Sequence, residues 1–311
     1  MEALRTSDPA AHDDGLATVK HDYLQPGALA RLGGMEFVAR MVVEGFMTGL
    51  HKSPYQGFNV EFAEHRQYMP GDDIRHIDWR VYGKSDRHYV KKFEEETNLK
   101  AYLLVDISRS MTYGQDGVTK LDYARYLAAS LTYLMLRQRD SVGVATIGAG
   151  ITEYVPPRGS PAHLRAVMDV LERVEPEPDT KLGAALHDLS TRLVRRGLIV
   201  VLSDLLDEPD EVLRALRLLR HRKHDVVVFH IMDEAELTFP FREPLVFRDV
   251  ETGDTLAAQP SQLRASYLDA VQAFMERYRA GCAAHGMDYR LMSTATPFDD
   301  ALFAYLSRRG G

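Results

Sequence analysis

Asp106-Ile-Ser108-Arg-Ser110 is the stretch of this chain whose residue types and spacing most directly suggest chemistry. It follows the apolar run Ala101-Tyr-Leu-Leu-Val105, which between polar flanks reads as a buried, parallel strand. In doubly wound α/β folds, ligands gather at the carboxyl ends of such strands. One carboxylate and two hydroxyls at alternating positions of a turn form a small set of hard oxygen ligands. Mg²⁺ accepts such a set, with some positions left to water or to a partner; Mn²⁺ and Ca²⁺ are the alternatives. The plainer reading is a strand-end Asp that caps the next turn beside two serines that favour turns. Two later stretches add weight to the first reading. Gly197-Leu-Ile-Val-Val-Leu-Ser203-Asp204 is a second buried-strand pattern ending in a carboxylate, and Asp179-Thr180-Lys181-Leu182-Gly183 sets a hydroxyl just before a helical pattern.

The elements that must position these residues follow from periodicity. Residues 1–27 are polar and aperiodic, with Pro9, Gly15, Pro26 and Gly27, and read as a loose tail. Residues 28–97 form an N-terminal region: a helix over Ala28 to Leu50, a strand over Phe58 to Tyr68, and another over His88 to Phe93. From residue 98 to 311 strands and helices alternate, which means a mostly parallel sheet. The strands are expected at Leu99–Asp106, Ser141–Ile147, Ile151–Val155, Leu198–Ser203, Asp225–Met232 and Asp288–Met292. The second and third are joined by the hairpin signal Gly148-Ala-Gly150. Helices are expected from Leu121, over Ser160–Arg173, Leu182–Arg195, Glu208–Arg222, Ser261–Ala284 and Phe298–Arg308. Val246 to Ala257 folds back through a polar turn at Glu251–Asp254.

Composition narrows the function classes. With 45% hydrophobic and 27% charged residues over 311 positions, the chain supports a large core. Its 38 basic against 45 acidic residues, a net −7, give no global attraction to nucleic acid or to an anionic membrane. The basic run Arg220-His-Arg-Lys-His224 falls at the C-terminal end of an expected helix, where cations favour the dipole. A single cysteine, Cys282, excludes an internal disulfide and a cysteine zinc site, and it sits in an amphipathic pattern as packing. The N-terminus shows no signal-peptide core, and no apolar run approaches the ~20 residues of a membrane span. A cytoplasmic location is the expectation.

The densest run of charge and aromatics lies over residues 61–80, with the single tryptophan, Trp79. Asp72, Asp73, Asp78, His65 and His76 could be read as a metal-assisted hydrolytic site. Nothing in their spacing fixes a metal geometry. The preferred reading is structural and docking: Arg66, Asp72, Asp73, Arg75 and Asp78 pairing around the Pro70-Gly71 turn, with Trp79 packing.

Two resemblances carry the reading further. The Asp-x-Ser-x-Ser loop, the later Thr and the second strand-end Asp resemble the metal-ion-dependent adhesion site of von Willebrand factor A domains. That likeness implies Asp106, Ser108, Ser110, Thr180 and Asp204 as ligands. It departs from the usual Gly-Gly-Thr-Asn-like run around the Thr, since Asp179 precedes Thr180 and Lys181 follows it. The order Glu61-Phe-x-x-x-Arg66-x-Tyr-x-Pro-Gly-Asp72-Asp73-x-Arg75-x-Ile-Asp78-Trp79, then Asp106-x-Ser-x-Ser-Met111, resembles the bacterial domain-of-unknown-function-58 family. The likeness continues through Val200-Val-Leu-Ser-Asp204, Asp233-x-x-Glu236 and Phe247-x-Asp-x-Glu-Thr-Gly253. It implies a von Willebrand factor A-like doubly wound domain with a smaller N-terminal helix and strand region. It also implies a setting beside MoxR-type AAA+ ATPases and other von Willebrand factor A-like proteins, with no established enzymatic activity. The expected role is a non-enzymatic, metal-dependent protein-binding adaptor with no catalytic residues. The rival is a metal-dependent phosphohydrolase or nuclease built on the strand-end aspartates. An enzyme of the Asp-x-Asp type would want a carboxylate where Ser108 stands.

Overall fold

The computed structural model describes residues 34–52, 65–67, 89–91, 99–115, 117–178, 181–193, 195–248 and 255–309, together with Pro26. In chain order these form α1 (Met35–Lys52), β1 (His65–Gln67), β2 (Tyr89–Lys91), β3 (Lys100–Asp106) and a 3₁₀ turn (Arg109–Thr112). There follow α2 (Lys120–Arg137), β4 (Ser141–Ile147), β5 (Ile151–Arg158), α3 (Pro161–Arg173), α4 (Leu182–Arg192), β6 (Leu198–Ser203) and α5 (Pro209–His221). The chain then gives β7 (Asp225–Met232), α6 (Glu234–Thr238), β8 (Leu245–Arg248), β9 (Thr255–Ala258), α7 (Pro260–Ala283), β10 (Asp288–Ser293) and α8 (Phe298–Arg309).

Six strands form the central sheet in the order β10-β7-β6-β3-β4-β5. All neighbours are parallel except the β4–β5 hairpin at one edge. The central strands are uninterrupted apolar runs because both of their faces are covered. Leu103, Val105, Val200, Leu202, Val227 and Phe229 share one core with α1, α2, α3 and α8. Tyr102, Leu104, Ile199, Val201, Val226 and Val228 share the other with α4, α5 and α7. The helix read over Ala28 to Leu50 is described over Met35–Lys52, and its Val38, Ala39, Val42, Val43 and Phe46 are buried in the first of these cores. The doubly wound, mostly parallel sheet expected from the alternation of elements is therefore present. Strand β3 lies between β4, reached next in sequence, and β6, reached after two helices. The strand order reverses there, which is where such sheets open a crevice.

Where both ends are described, element ends differ from expectation by a few residues at most; the expected starts at Ala28 and Phe58 lie outside the described residues. The helix read to Arg195 ends at Arg192, where Leu193 turns extended and its N–H donates to Leu189. The strand read over Phe58 to Tyr68 is described at β1 alone, paired antiparallel with β2. The short α6 and the 3₁₀ turn were not anticipated, being too short for periodicity to register.

Three helix-to-strand connections use one device. Arg139, Lys223 and Gly286 adopt left-handed φ of 62°, 66° and 63° after α2, α5 and α7. In each, the next N–H reaches back five residues, from Asp140 to Met135, His224 to Leu219 and Met287 to Cys282. This is the turn that glycine serves best, and a side chain there costs roughly 1 kcal/mol.

His230, on β7, is fully buried, pairs its Nδ1 with the Tyr289 hydroxyl at 2.6 Å, and meets Phe274, Tyr278 and Tyr289 edge-on. Burial pushes its pKa down to about 4. Between pH ~6.5 and 4 the unfolded chain binds a proton that the folded chain refuses, so stability from this source is whole above ~6.5 and is lost as the pH falls. Replacing it in His230→Phe should shrink the fall in unfolding free energy between pH 7 and pH 4.5 by about 2 kcal/mol. Parallel denaturant titrations of variant and parent measure it, and equal pH slopes would refute it.

Candidate functional site

Asp106 closes β3 and Asp204 directly follows β6, each 2% exposed, on either side of the strand-order reversal. Register fixes their proximity, since Val105 pairs with Leu202. Asp106 Oδ1 accepts the Ser108 N–H at 2.9 Å, and its Oδ2 accepts the Ser203 hydroxyl at 2.5 Å. The 3₁₀ turn, closed by Met111 N–H on Ser108 O, folds Ser110 back over the strand end. The Ser108 and Ser110 hydroxyls then lie 2.9 Å apart, and Ser110 sits near enough to Asp204 to help hold that carboxyl down. Four of the five ligands implied by the adhesion-site resemblance are thus brought together: Asp106, Ser108, Ser110 and Asp204.

The fifth, Thr180, lies outside the described residues, as do Asp72, Asp73, Arg75, Asp78 and Trp79; Arg66 is described as backbone in β1. The loop that carries Thr180 is anchored on both sides of it. Glu177 N–H donates to Ile107 O at 2.8 Å, and Lys181 N–H donates to Gly148 O at 3.2 Å.

Lys120 was not anticipated. It is the first residue of α2, and its side chain is 1% exposed. Its ammonium donates to Asp204 Oδ2 at 2.9 Å and to Glu236 Oε1 at 2.8 Å. Two capping boxes set this bridge. Thr119 and Asp122 cap α2, fixing where Lys120 emerges. Asp233 and Glu236 cap α6, and Glu236 Oε2 accepts the Asp233 N–H at 2.8 Å, leaving Oε1 for Lys120. Asp233 Oδ2 in turn accepts Gln115 N–H at 3.1 Å and the Thr294 hydroxyl at 2.9 Å. In the sequence Asp233-x-x-Glu236 carried part of the domain-of-unknown-function-58 resemblance; the structure shows it to be the capping box of α6. Lys120 carried no such signal, because its partners lie 84 and 116 residues away.

The electrostatics are asymmetric. Burial and, second, the Asp204 charge push the Asp106 carboxyl up to about 7. Burial also works against Asp204, but Lys120 outweighs it and holds that carboxyl below its ordinary value. Lys120 pays for its desolvation through the two carboxylates, which leave its ammonium more firmly protonated than usual. With Asp106 ionised, as cation binding would require, Asp106, Asp204 and Glu236 against the Lys120 ammonium give a formal −2, and no ammonium is bonded to Asp106. That is the charge one divalent cation cancels. Asp106, Ser108, Ser110 and Asp204 could hold such a cation through hard oxygens. Among the described residues no group of three or more His, Cys, Asp or Glu converges as an alternative cage. The backbone beside the cluster is strained: buried Leu205 has φ 58°, held by its N–H on Ser203 Oγ at 2.8 Å and by the Tyr278 hydroxyl on its carbonyl at 3.1 Å.

A family described as "Protein of unknown function DUF58" matches residues 64–277. The chain belongs to that family. Uncharacterized proteins Rv1480 of Mycobacterium tuberculosis and Mb1516 of Mycobacterium bovis are each 27% identical over 238 residues, 76% of this chain and 74% of theirs. Among solved structures, BatB from Bacteroides thetaiotaomicron aligns over 68% of this chain and 98% of its own, at 17% identity and a TM-score of 0.47. The SpRpn10 VWA domain aligns over 66% of this chain and 94% of its own, at 13% identity and a TM-score of 0.37. The sheet order, the strand-order reversal and the helices on both faces make the fold von Willebrand factor A-like, as the sequence implied. No helix among the described residues is long and apolar enough to cross a membrane.

Lys120→Met should destabilise the protein by about 3–5 kcal/mol, because it strands two carboxylates that are buried or nearly so. Adding Glu236→Gln should recover part of that loss, giving a clear coupling in a double-mutant cycle of denaturant unfolding. Additive losses would mean that the two side chains do not act on each other.

Proposed function

We propose that this DUF58 protein is a non-enzymatic, metal-dependent protein-binding module. In this reading it acts with a MoxR-type AAA+ ATPase, and with other von Willebrand factor A-like proteins, in the assembly or activation of other protein complexes. One observation supports the reading above others: two strand-end carboxylates and two hydroxyls converge with a formal deficit of two positive charges. Mg²⁺ is the natural occupant, with Mn²⁺ or Ca²⁺ as substitutes. Hydroxyl ligands add coordination without charge, so a cation held here stays electrophilic and can accept a carboxylate from a partner. Leu206 supports a protein partner. It is 55% exposed, and its N–H donates to Asp204 Oδ1 at 3.2 Å, which sets an apolar contact at the rim of the site.

The residues of this chain also suggest how docking could be felt elsewhere. Lys120 joins Asp204 to α2, and one turn along that helix Tyr123 stacks on Phe298 of α8 with ring centroids 4.8 Å apart. By the adhesion-site resemblance, such domains can couple docking to movement of the C-terminal helix, which makes α8 the candidate moving element here. A partner can shift it only by its differential affinity for the two arrangements, a few kcal/mol at most.

Mg²⁺ at a hundredfold excess over its Kd should add about 2.7 kcal/mol to the stability of the parent, read as a rise in Tm. Asp106→Ala should keep its circular dichroism and a cooperative melt while losing that rise. An equal rise in parent and variant would place the ion elsewhere. Capture of the MoxR-type ATPase from the native organism should fail with EDTA and with Asp106→Ala. A complex that survives both would remove this site as the docking surface.

A further inference from the structure

The opposite end of the parallel sheet carries a cavity that the metal reading does not use. It has a volume of about 480 Å³ and is lined at the starts of β3, β6 and β7 by Lys100, Arg196, Gly197 and Asp225, with Arg220 and Lys223 from the end of α5. Six residue steps along β3 separate Lys100 from Asp106, roughly 20 Å of strand. Gly197 lets the floor close: a Cβ there would lie 2.2 Å from the Lys100 carbonyl, while its own carbonyl accepts the Asp225 N–H at 3.0 Å.

The basic run at the end of α5 divides once its contacts are known. Arg220 is spent on structure, donating to His224 O at 3.1 Å and to Asp225 Oδ1 at 3.0 Å. Arg222 donates to Ser190 O, and His224 is buried. Lys223 does none of this. It occupies the left-handed position that the equivalent turn after α7 fills with Gly286. Keeping a lysine where glycine is conformationally better places a charge on the cavity wall at a cost in strain. Among the described residues Lys100, Arg196 and Lys223 have no carboxylate within ion-pair distance. Arg220 being offset by Asp225, the cavity presents three positive charges with no carboxylate partner among the described residues.

We propose that this cavity is a binding site for a multiply charged, phosphate-bearing anion of pyrophosphate size or larger. The volume falls within the range of small-molecule sites and exceeds what one orthophosphate needs. Guanidinium forks and ammonium groups from three chain segments are the donors that phosphate oxygens take. Among the described residues the wall carries Leu99 and no aromatic ring on which a nucleobase could stack, so the phosphate chain is the group these donors fit. The site stands apart from the strand-end carboxylates and needs no divalent cation.

Calorimetric titration at 150 mM salt with EDTA, using pyrophosphate, tripolyphosphate, orthophosphate and ATP on the full chain, tests this. The parent should bind one pyrophosphate saturably and more tightly than orthophosphate, with tripolyphosphate at least as tight and ATP no tighter than tripolyphosphate. Lys223→Gly should weaken pyrophosphate at least fivefold while its Tm stays level or rises, because the left-handed turn is relieved. Lys100→Met with Arg196→Met should weaken it more than tenfold, whereas Arg165→Met on α3 and Asp106→Ala should leave it unchanged. Absence of saturable binding, or equal weakening by Arg165→Met, would overturn the site. ATP binding more tightly than tripolyphosphate would overturn the choice of the phosphate chain as the recognised group. Weakening by Asp106→Ala would overturn the separation of this site from the strand-end carboxylates.

Discussion

A buried ammonium holds the carboxyl end of the central sheet together. Lys120 reaches Asp204 from one helix and Glu236 from a second, so β6, α2 and α6 are tied at a single nitrogen. Such clusters rarely win on stability alone: a well-packed apolar set of the same volume would serve as well or better. What the ammonium provides is geometry and charge. It fixes the orientation of the Asp204 carboxylate, and Glu236 returns the negative charge that the ammonium removes. Without Glu236 the cluster would be one charge short of matching a divalent cation. Without Lys120 the three acids would repel one another in a region with almost no water.

Much of the architecture was legible because parallel central strands advertise themselves. Ala101–Val105, Leu198–Leu202 and Val226–Phe229 are continuous apolar runs, and burial on both faces explains why no polar residue interrupts them. Strand-end carboxylates could be read for the same reason, since Asp106 is the first polar side chain after the run on β3, and Asp204 is the second after the run on β6, next to Ser203. The Lys120 bridge could not be read. A lysine at the first position of a helix ordinarily faces solvent, and nothing local distinguishes this one from its neighbours. The Asp233–Glu236 capping box shows the complementary case, a local signal that was present but whose free carboxylate oxygen gains meaning only from the remote ammonium. The charged run over residues 61–80, so prominent in the sequence, lies largely outside the described residues and keeps its reading as an expectation.

Within the net charge of −7, some of the described charges gather at the two ends of the sheet. Acidic groups collect where the parallel strands end, and basic groups collect where β3, β6 and β7 begin. Helix dipoles do not produce this arrangement by themselves. The α5 terminus could be satisfied by Arg220 and Arg222 alone, yet Lys223, Lys100 and Arg196 join them. The shared left-handed turn makes the point locally: the same backbone is built with arginine, lysine and glycine after three different helices, so the backbone does not dictate the side chain.

Cys282 closes α7 against the second core, fully buried, and burial pushes its thiol up to about 11. At neutral pH almost none of it is thiolate, and no reagent reaches it while the helix is docked. The native protein should therefore react with maleimides and iodoacetamides only as fast as α7 opens. A surface cysteine introduced anywhere on the sheet ends could carry a fluorophore or spin label against an unmodified background. The native sulfur would itself react at a rate that counts how often α7 comes away from the sheet.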